Sequence, residues 1–581
     1  MAPLSAQDLR SHIVSLFAQA LAQVAPGYAG ATLALERPKA AEHGDFACNL
    51  ALQLARPLRR NPRELAQALV AALPASQAIE RTEIAGAGFV NVFVTAAAKR
   101  AALTAVLELE SGYGRIDYGK GARVQVEFVS ANPTGPLHVG HGRGAAYGAS
   151  LANVLDFAGY AVEREYYVND AGRQMDILAL STWLRYLQAQ GVAVPFPPNA
   201  YQGEYVREMA AGIAAAHGTR YLRSADALLA GVPSVEEDAE AHLDALIANA
   251  KDVLGEDYAY VHQHALTEQL GDCRNDLQEF GVHFEHWFSE RSLYEAGQVA
   301  RALDQLEQAG HLYEQDGARW FRSTAFGDEK DRVVQRENGQ YTYFASDIAY
   351  HLNKFERGFA RVIDVWGADH HGYVARVKGA LQAMGLDAQR LTVALVQFAV
   401  LYRDGKKASM STRSGEFVTL RQLRDEVGND AARLFYVLRK SDQHLDFDLD
   451  LAKSQNNENP VYYIQYAHAR ICSVLEEWGG DVGDLETVAL SALDSPAELA
   501  LLRELMEFPQ VIEDAAHELA PHALAFYLKQ LAAAFHSYYN SVRFLVEESS
   551  QREARLALVL GVRHVLRNGL RLLGVSAPEK M

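Results

Sequence analysis

Cysteine is scarce: 581 residues hold Cys48, Cys273 and Cys472 and no others. They are odd in number and too far apart for a CxxC pair. That excludes a disulfide framework and a thiolate zinc site, leaving three small apolar residues. Long apolar runs are missing too. Stretches such as Val396–Leu401 fall far short of the ~20 residues that a membrane span needs. Met1–Asp8 lacks a basic segment followed by an apolar one, so no secretory signal is read there. Glycine and proline, 43 and 17, are too few for a collagen-like or low-complexity chain. Basic residues are in deficit, 55 Lys and Arg against 73 Asp and Glu, for a net charge of −18. Bulk charge therefore repels polyanions, and a nucleic-acid partner must meet a locally basic face. The expectation is a soluble, cytoplasmic, multidomain protein of about four structural units.

Three regions separate along the chain. Residues 1–115 alternate helical stretches (Leu4–Val24, Pro62–Ala72) with a strand-like run at Gly88–Val94, and read as an N-terminal α+β domain. Residues 116–450 open with a strand at Val124–Ser130, a glycine-rich turn at Asn132–Gly144, a helix at Ala145–Phe157 and a strand at Val162–Val168. This is a right-handed βαβ unit, the start of a Rossmann-type doubly wound parallel sheet and an α/β fold. Pro195-Phe-Pro-Pro198 interrupts a helical insertion at about 175–310. Strand-like runs return at Arg361–Trp366 and Leu391–Tyr402. Residues 451–581 are helical throughout and read as a C-terminal all-α bundle. Internal repeats are absent.

Chemistry concentrates in the first turn. In Ala131-Asn-Pro-Thr-Gly-Pro-Leu-His-Val-Gly-His141 the prolines stop the strand. Gly135, Gly140, Gly142 and Gly144 let backbone approach a ligand closely. His138 and His141, three apart, fall on one side of the first helical turn, where N–H groups and two imidazoles can face a polyphosphate. A metal pair or two surface histidines are the competing readings.

His138-Val-Gly-His141 resembles the HIGH signature of class I aminoacyl-tRNA synthetases. The wider Glu127-Phe-Val-Ser-Ala-Asn-Pro-Thr-Gly135 is similar to the arginyl-tRNA synthetase form of it. The resemblance implies ATP with Mg²⁺ as cofactors and histidines that stabilise the pentavalent transition state as an amino-acid carboxylate attacks the α-phosphate. Gly140 would then lie at the nucleotide. Asp404-Gly-Lys-Lys-Ala-Ser-Met-Ser-Thr-Arg-Ser-Gly415 resembles the family's KMSKS loop. By that resemblance Met410 sits by adenine, with Ser411 and Arg413 nearer the phosphates. Ser409 and Thr412 stand where the family has lysines, so Lys406, Lys407 or Arg413 must carry that charge. A solvated hairpin is the alternative for this segment alone.

A guanidinium has five donors in a rigid plane and demands carboxylates with a planar or hydroxyl acceptor. Glu127 sits inside an otherwise apolar strand, Asn132 follows at the turn, and Tyr343 and Asp347, four apart, share one face of a helix start. At the matching positions the arginyl family contacts its amino acid. Taken singly, Glu127 also fits a solvent-facing strand position, Tyr343 core packing and Asp347 a helix cap. Trp366-Gly-Ala-Asp-His-His-Gly-Tyr373 resembles the class I turn that binds the ATP ribose, through Asp369, with a His370–His371 zinc pair as competitor. Tyr167-Val-Asn-Asp-Ala-Gly-Arg-Gln174 also matches the family, in a supporting role.

Towards the ends, His43-Gly-Asp-Phe-Ala-Cys-Asn-Leu-Ala51 and Gly86-Ala-Gly-Phe-Val-Asn-Val-Phe93 resemble the family's extra domain, which touches the outer corner of tRNA. Asn457–Arg470 resembles the start of its anticodon-binding domain. Tyr462, Tyr463 and Tyr466 can stack on bases or pack in a core. Arg563, Arg567 and Arg571 recur at i, i+4, i+8 as a phosphate-contact stripe or a solvated face. The resemblance implies a monomer that activates L-arginine and passes it to tRNA(Arg). A cysteinyl-type synthetase, which holds zinc through cysteines, and a non-catalytic tRNA-binding paralogue are the competing classes. The scattered cysteines argue against the first and the two histidines against the second.

Overall fold

Val124-Gln-Val-Glu127 is buried at every position, the pattern of a central strand covered on both faces. It is the middle of a five-stranded parallel sheet built from β1 (Arg123–Glu127), β2 (Ala161–Val168), β3 (His286–Ser289), β4 (Arg361–Gly367) and β5 (Leu391–Val396). The strands lie in the order β5-β4-β1-β2-β3, the arrangement of a doubly wound sheet whose direction of winding reverses between β1 and β4. The computed structural model describes residues 6–408 and 418–581, apart from 32, 39 and 40.

The chain divides into two compact units. The first, residues 119–156 and 160–453, holds this sheet. Helix α1 (Val139–Phe157) crosses from β1 to β2, and α2 (Tyr343–Glu356) precedes β4. Helices between Arg173 and Glu279 close on a core of their own around Leu180, Trp183, Leu187 and Leu246. Phe344, Ala345 and Ile348 of α2 pack into a second core with Leu303 and Phe321. The second unit, residues 1–118, 157–159 and 454–581, has a four-stranded antiparallel sheet and long helices such as α3 (Pro460–Trp478) and α4 (Ser549–Leu573). No helix among the described residues is long and apolar enough to cross a membrane.

Four readings need correction. The strand expected to reach Ser130 ends at Glu127, because Val129 and Ser130 turn into positive φ, 69° and 40°. A β-branched residue there is strained, and such backbone persists only when its surroundings enforce it. Helix α1 begins at Val139, not Ala145, so Gly140, Gly142 and Gly144 lie inside a helix. The run Leu391–Tyr402 is two strands in different sheets, broken at Gln397-Phe398. The stretch before 310 contains β3, and a three-stranded antiparallel sheet over Leu312–Gln335 follows it.

Candidate active site

A doubly wound sheet binds ligands at the carboxyl ends of its strands, where the winding reverses. Here all five strands place residues at that end: Glu127 as the last of β1, Asp170 after β2, Glu290 after β3, Asp369 after β4 and Phe398 after β5.

The histidine turn is sewn to the far side of the second loop. Val139 N–H donates to the Val418 carbonyl (3.1 Å) and Leu420 N–H to the Leu137 carbonyl (2.7 Å). Ser409, Met410, Ser411, Thr412 and Arg413 themselves lie outside the described residues. The His138 and His141 rings stack 3.7 Å apart. Gly140 N–H donates to His138 Nδ1 (3.1 Å), and His138 N–H to His141 Nδ1 (3.3 Å). A neutral ring whose Nδ1 accepts carries its proton on Nε2, so each imidazole has its one N–H there. Burial lowers the His138 pKa, and burial followed by the neighbouring His138 lowers that of His141 to about 3. Both rings are neutral donors at neutral pH. A Cβ on Gly140 would stand 2.8 Å from the His138 ring, so glycine is what lets that ring fold over the helix start. Gly142 serves packing instead: its Cβ would meet Tyr436 at 2.8 Å.

Among the described residues no three His, Cys, Asp or Glu side chains group to hold a metal ion, at these histidines or at His370–His371.

A second group of candidate residues centres on α2. Thr342 holds the N-cap position, so Asp347, well inside the helix, does not cap it. Tyr343 is 58% exposed rather than core. Asp347 accepts from the Tyr373 hydroxyl. Burial pushes its carboxyl up to about 6, against the Tyr373 bond, which pulls it down. Glu127 is buried, not solvent-facing. It accepts from Ser130 Oγ (2.8 Å) and from Lys354 Nζ. Asn132 donates to Gln174 Oε1 (2.7 Å). The side chain of Asp369 is mostly exposed at the end of β4.

Sequence reasoning missed Glu290. It is 2% exposed, and its Oε2 has no hydrogen-bond partner among the described residues. Burial pushes its carboxyl up to about 7, against bonds from Ser346 and Tyr167, with Asp347 and Asp170 nearby adding to the rise. The one signal for it was a carboxylate directly after a short strand. Asp170 is committed elsewhere, accepting from Ser289 Oγ (2.6 Å) and Arg291 N–H (2.9 Å).

In the second unit Tyr462 and Tyr466 stack 5.6 Å apart on α3, with the Arg470 guanidinium 4.5 Å over Tyr466. Both tyrosines are half-buried. Arg563 and Arg567 are half-buried on α4, and Arg567 donates to His564 Nδ1 (3.0 Å). Arg571 is spent on the Ser111 carbonyl (2.9 Å), which shortens the basic stripe to two residues.

A parallel sheet of this order, with paired histidines opening the helix at its switch point, is the catalytic architecture of class I aminoacyl-tRNA synthetases. The family described as "tRNA synthetases class I (R), catalytic domain" matches residues 102–209 and 256–453. "Arginyl tRNA synthetase N terminal domain" matches 11–94 and "DALR anticodon binding domain" 464–581. The chain belongs to the arginyl-tRNA synthetase family. It is 65% identical to the arginine–tRNA ligase of Nitrosospira multiformis over 583 residues, covering 100% of both chains. It is 66% identical to that of Azoarcus sp. over 585 residues, 99% of this chain and 100% of the relative. The arginyl-tRNA synthetase of Thermus thermophilus superposes with a TM-score of 0.75 at 25% identity, over 99% of this chain and 100% of that one.

Proposed function

We propose that the protein joins L-arginine to tRNA(Arg) in two steps at the carboxyl end of its parallel sheet. In the first, an arginine carboxylate oxygen attacks the α-phosphorus of ATP, the bond to the β-phosphate breaks, and pyrophosphate leaves. In the second, a ribose hydroxyl of the terminal tRNA nucleotide attacks the arginyl carbonyl, loses its proton, and AMP departs. The observation that carries this reading is the pairing, on elements of one parallel sheet, of buried Glu127 and Glu290 and half-buried Asp347 with two neutral imidazole donors. Carboxylates suit the guanidinium and α-amino group. Preformed N–H donors suit charge that develops on phosphate oxygens.

In this reading Glu127 and Asn132 hold the α-amino end, and Tyr343, Asp347 and Glu290 the guanidinium. His138, His141 and Gly140 meet the ATP phosphates, Asp369 the ribose, Met410 the adenine, and Ser411 and Arg413 the departing pyrophosphate. Mg²⁺ enters as the ion carried by the nucleotide phosphates. The work is positioning and charge stabilisation, with no covalent protein nucleophile. The reading takes the protein to act as a monomer in the cytoplasm. The test is tRNA-dependent ATP–pyrophosphate exchange with each of the twenty amino acids. Exchange with arginine alone is expected, and exchange with another amino acid overturns the assignment.

tRNA contacts belong to the second unit. Tyr462 and Tyr466 offer ring faces to unpaired bases, and Arg563 and Arg567 contact phosphates. The two pairs separate in a salt titration. Arg563→Ala/Arg567→Ala flattens the log–log salt dependence of tRNA binding by roughly 0.7–0.9 per lost phosphate contact. Tyr462→Ala/Tyr466→Ala weakens binding by about 1–3 kcal/mol per stacked base and leaves the slope alone. An unchanged slope in the arginine variant would make that stripe a solvated face.

A further inference from the structure

Lysine at the tail of a helix ordinarily reaches solvent, yet Lys354 of α2 is 0% exposed. Its Nζ donates to Glu127 at the end of β1 and to Asp364 Oδ1 of β4 (2.7 Å). Glu127 and Asp364 face one another in the register of neighbouring parallel strands, and Lys354 is the side chain that bonds both carboxylates. Asp364 is also wholly buried and takes a second bond, from His351 Nε2 (2.8 Å). The other ring nitrogen of His351 bonds the Asp347 carbonyl (2.7 Å). A continuous chain of bonds therefore runs Asp347, His351, Asp364, Lys354, Glu127, Ser130.

We infer that Lys354 is a positioning residue for amino-acid binding: it keeps the Glu127 carboxylate charged and fixes its distance from Asp347, so that the two ends of arginine meet their carboxylates together. This rests on the reading of Glu127 and Asp347 as arginine ligands. Lys354 touches no substrate; its effect passes through Glu127. Burial opposes its charge, but Asp364, Glu127 and Glu165 around it hold its pKa above the ordinary value. Burial would also raise Asp364, but Lys354 and His351 hold it down to about 2. The remaining groups facing the cluster are Glu165, with its Tyr350 and Arg357 partners, and Tyr167. None of these is a second cation within hydrogen-bond reach of Glu127. Such a network specifies one arrangement and punishes removal of a single partner, because the charges left behind are unpaired.

Lys354→Met tests the role. With the ammonium gone, the two adjacent carboxylates lose the cation between them; His351 still bonds Asp364, so Glu127 is the one that takes up a proton as pH falls. We expect the KM for arginine to rise at least ~10-fold over wild type at about pH 6.5. The ratio should shrink to about 2-fold near pH 9, where the variant's carboxylate loses its proton again, while the KM for ATP stays within about twofold throughout. Lys354→Arg keeps the charge and is expected to hold the ratio flat with pH. Lys354→Gln can still donate to Glu127 without a charge, and as the second neutral variant should repeat the methionine result. A role in packing alone would lower the melting temperature and give a KM ratio that ignores pH, and that result overturns the proposal. Glu127→Gln in the same assay separates the two levels. If its KM for arginine is unchanged, the reading of Glu127 as a ligand fails. If it rises while both neutral lysine variants match wild type, only the positioning role fails.

Discussion

His138→Ala and His141→Ala each lower the kcat of arginyl-adenylate formation by about 10²–10³-fold, with the KM for arginine nearly unchanged. One preorganised donor to a developing oxyanion is worth roughly 2.7–4 kcal/mol in the transition state and little in the ground state. The geometry makes each ring such a donor: a backbone N–H occupies Nδ1 in both, leaving one imidazole proton on Nε2. His141, held at about 3 by burial and by its neighbour, does not charge anywhere near neutrality. Between about pH 6.5 and 9 the kcat of wild type should therefore lack a histidine ionisation. The same depression destabilises the fold in acid. Below the ordinary histidine value the unfolded chain binds a proton that the folded ring refuses, so stability falls as pH drops from about 6.5 towards 3. Pyrophosphate exchange with arginine and ATP varied separately checks the first claim. Unchanged kcat in either alanine variant would leave that ring a half-buried packing residue.

What was legible in the sequence is what sits close together in it. Strand, proline, glycine and paired histidines within residues 124–141 announced a phosphate-facing turn. Tyr343 and Asp347 announced one helical face, because four residues make one turn. The start of α1 was misread because three glycines in five residues resemble a turn. The helix forms there because its face packs on Tyr436 and Leu420, and tertiary packing overrides a local propensity of about 1 kcal/mol per glycine. Lys354 was invisible for the opposite reason. Its partner Glu127 lies 227 positions away, and only the pairing of β1 with β4 brings them together. Glu290 follows a four-residue strand too short to stand out by pattern. Arg571 looked like the third member of a basic stripe until the fold gave its guanidinium a carbonyl 460 residues away. Periodicity names a helix face without saying what covers it.

Asp347→Asn raises the KM for arginine at least tenfold and leaves the KM for ATP within about twofold, without lowering the melting temperature. The first part follows from charge. A hydrogen bond to a charged partner contributes about 1.5–3 kcal/mol, and each ~1.4 kcal/mol is tenfold in affinity. The amide keeps the shape but turns an NH₂ donor towards a guanidinium that has only donors. The stability claim follows from the sign of the shift. Burial raises the Asp347 carboxyl from its ordinary value to about 6, so the folded state binds this proton more tightly than the unfolded chain does. Stability contributed by this group is therefore lost as pH rises from about 4 to 6, and above that the buried carboxylate is a standing cost. Asparagine removes that cost while still able to accept from the Tyr373 hydroxyl, so the variant melts at or above the wild-type temperature near neutral pH. The same shift sets the pH dependence of wild type. As pH falls through about 6 Asp347 takes up a proton, and Glu290, at about 7, has done so already. The affinity for arginine must then drop in acid, while bound guanidinium near neutrality drives both protons off. Exchange kinetics at several pH values, with a thermal melt of each protein, check these together. A KM for arginine within about twofold of wild type in a normally melting Asp347→Asn protein would move the guanidinium site away from α2, and an amide that instead lowers the melting temperature would mean the carboxylate holds Tyr373 and the helix rather than the substrate.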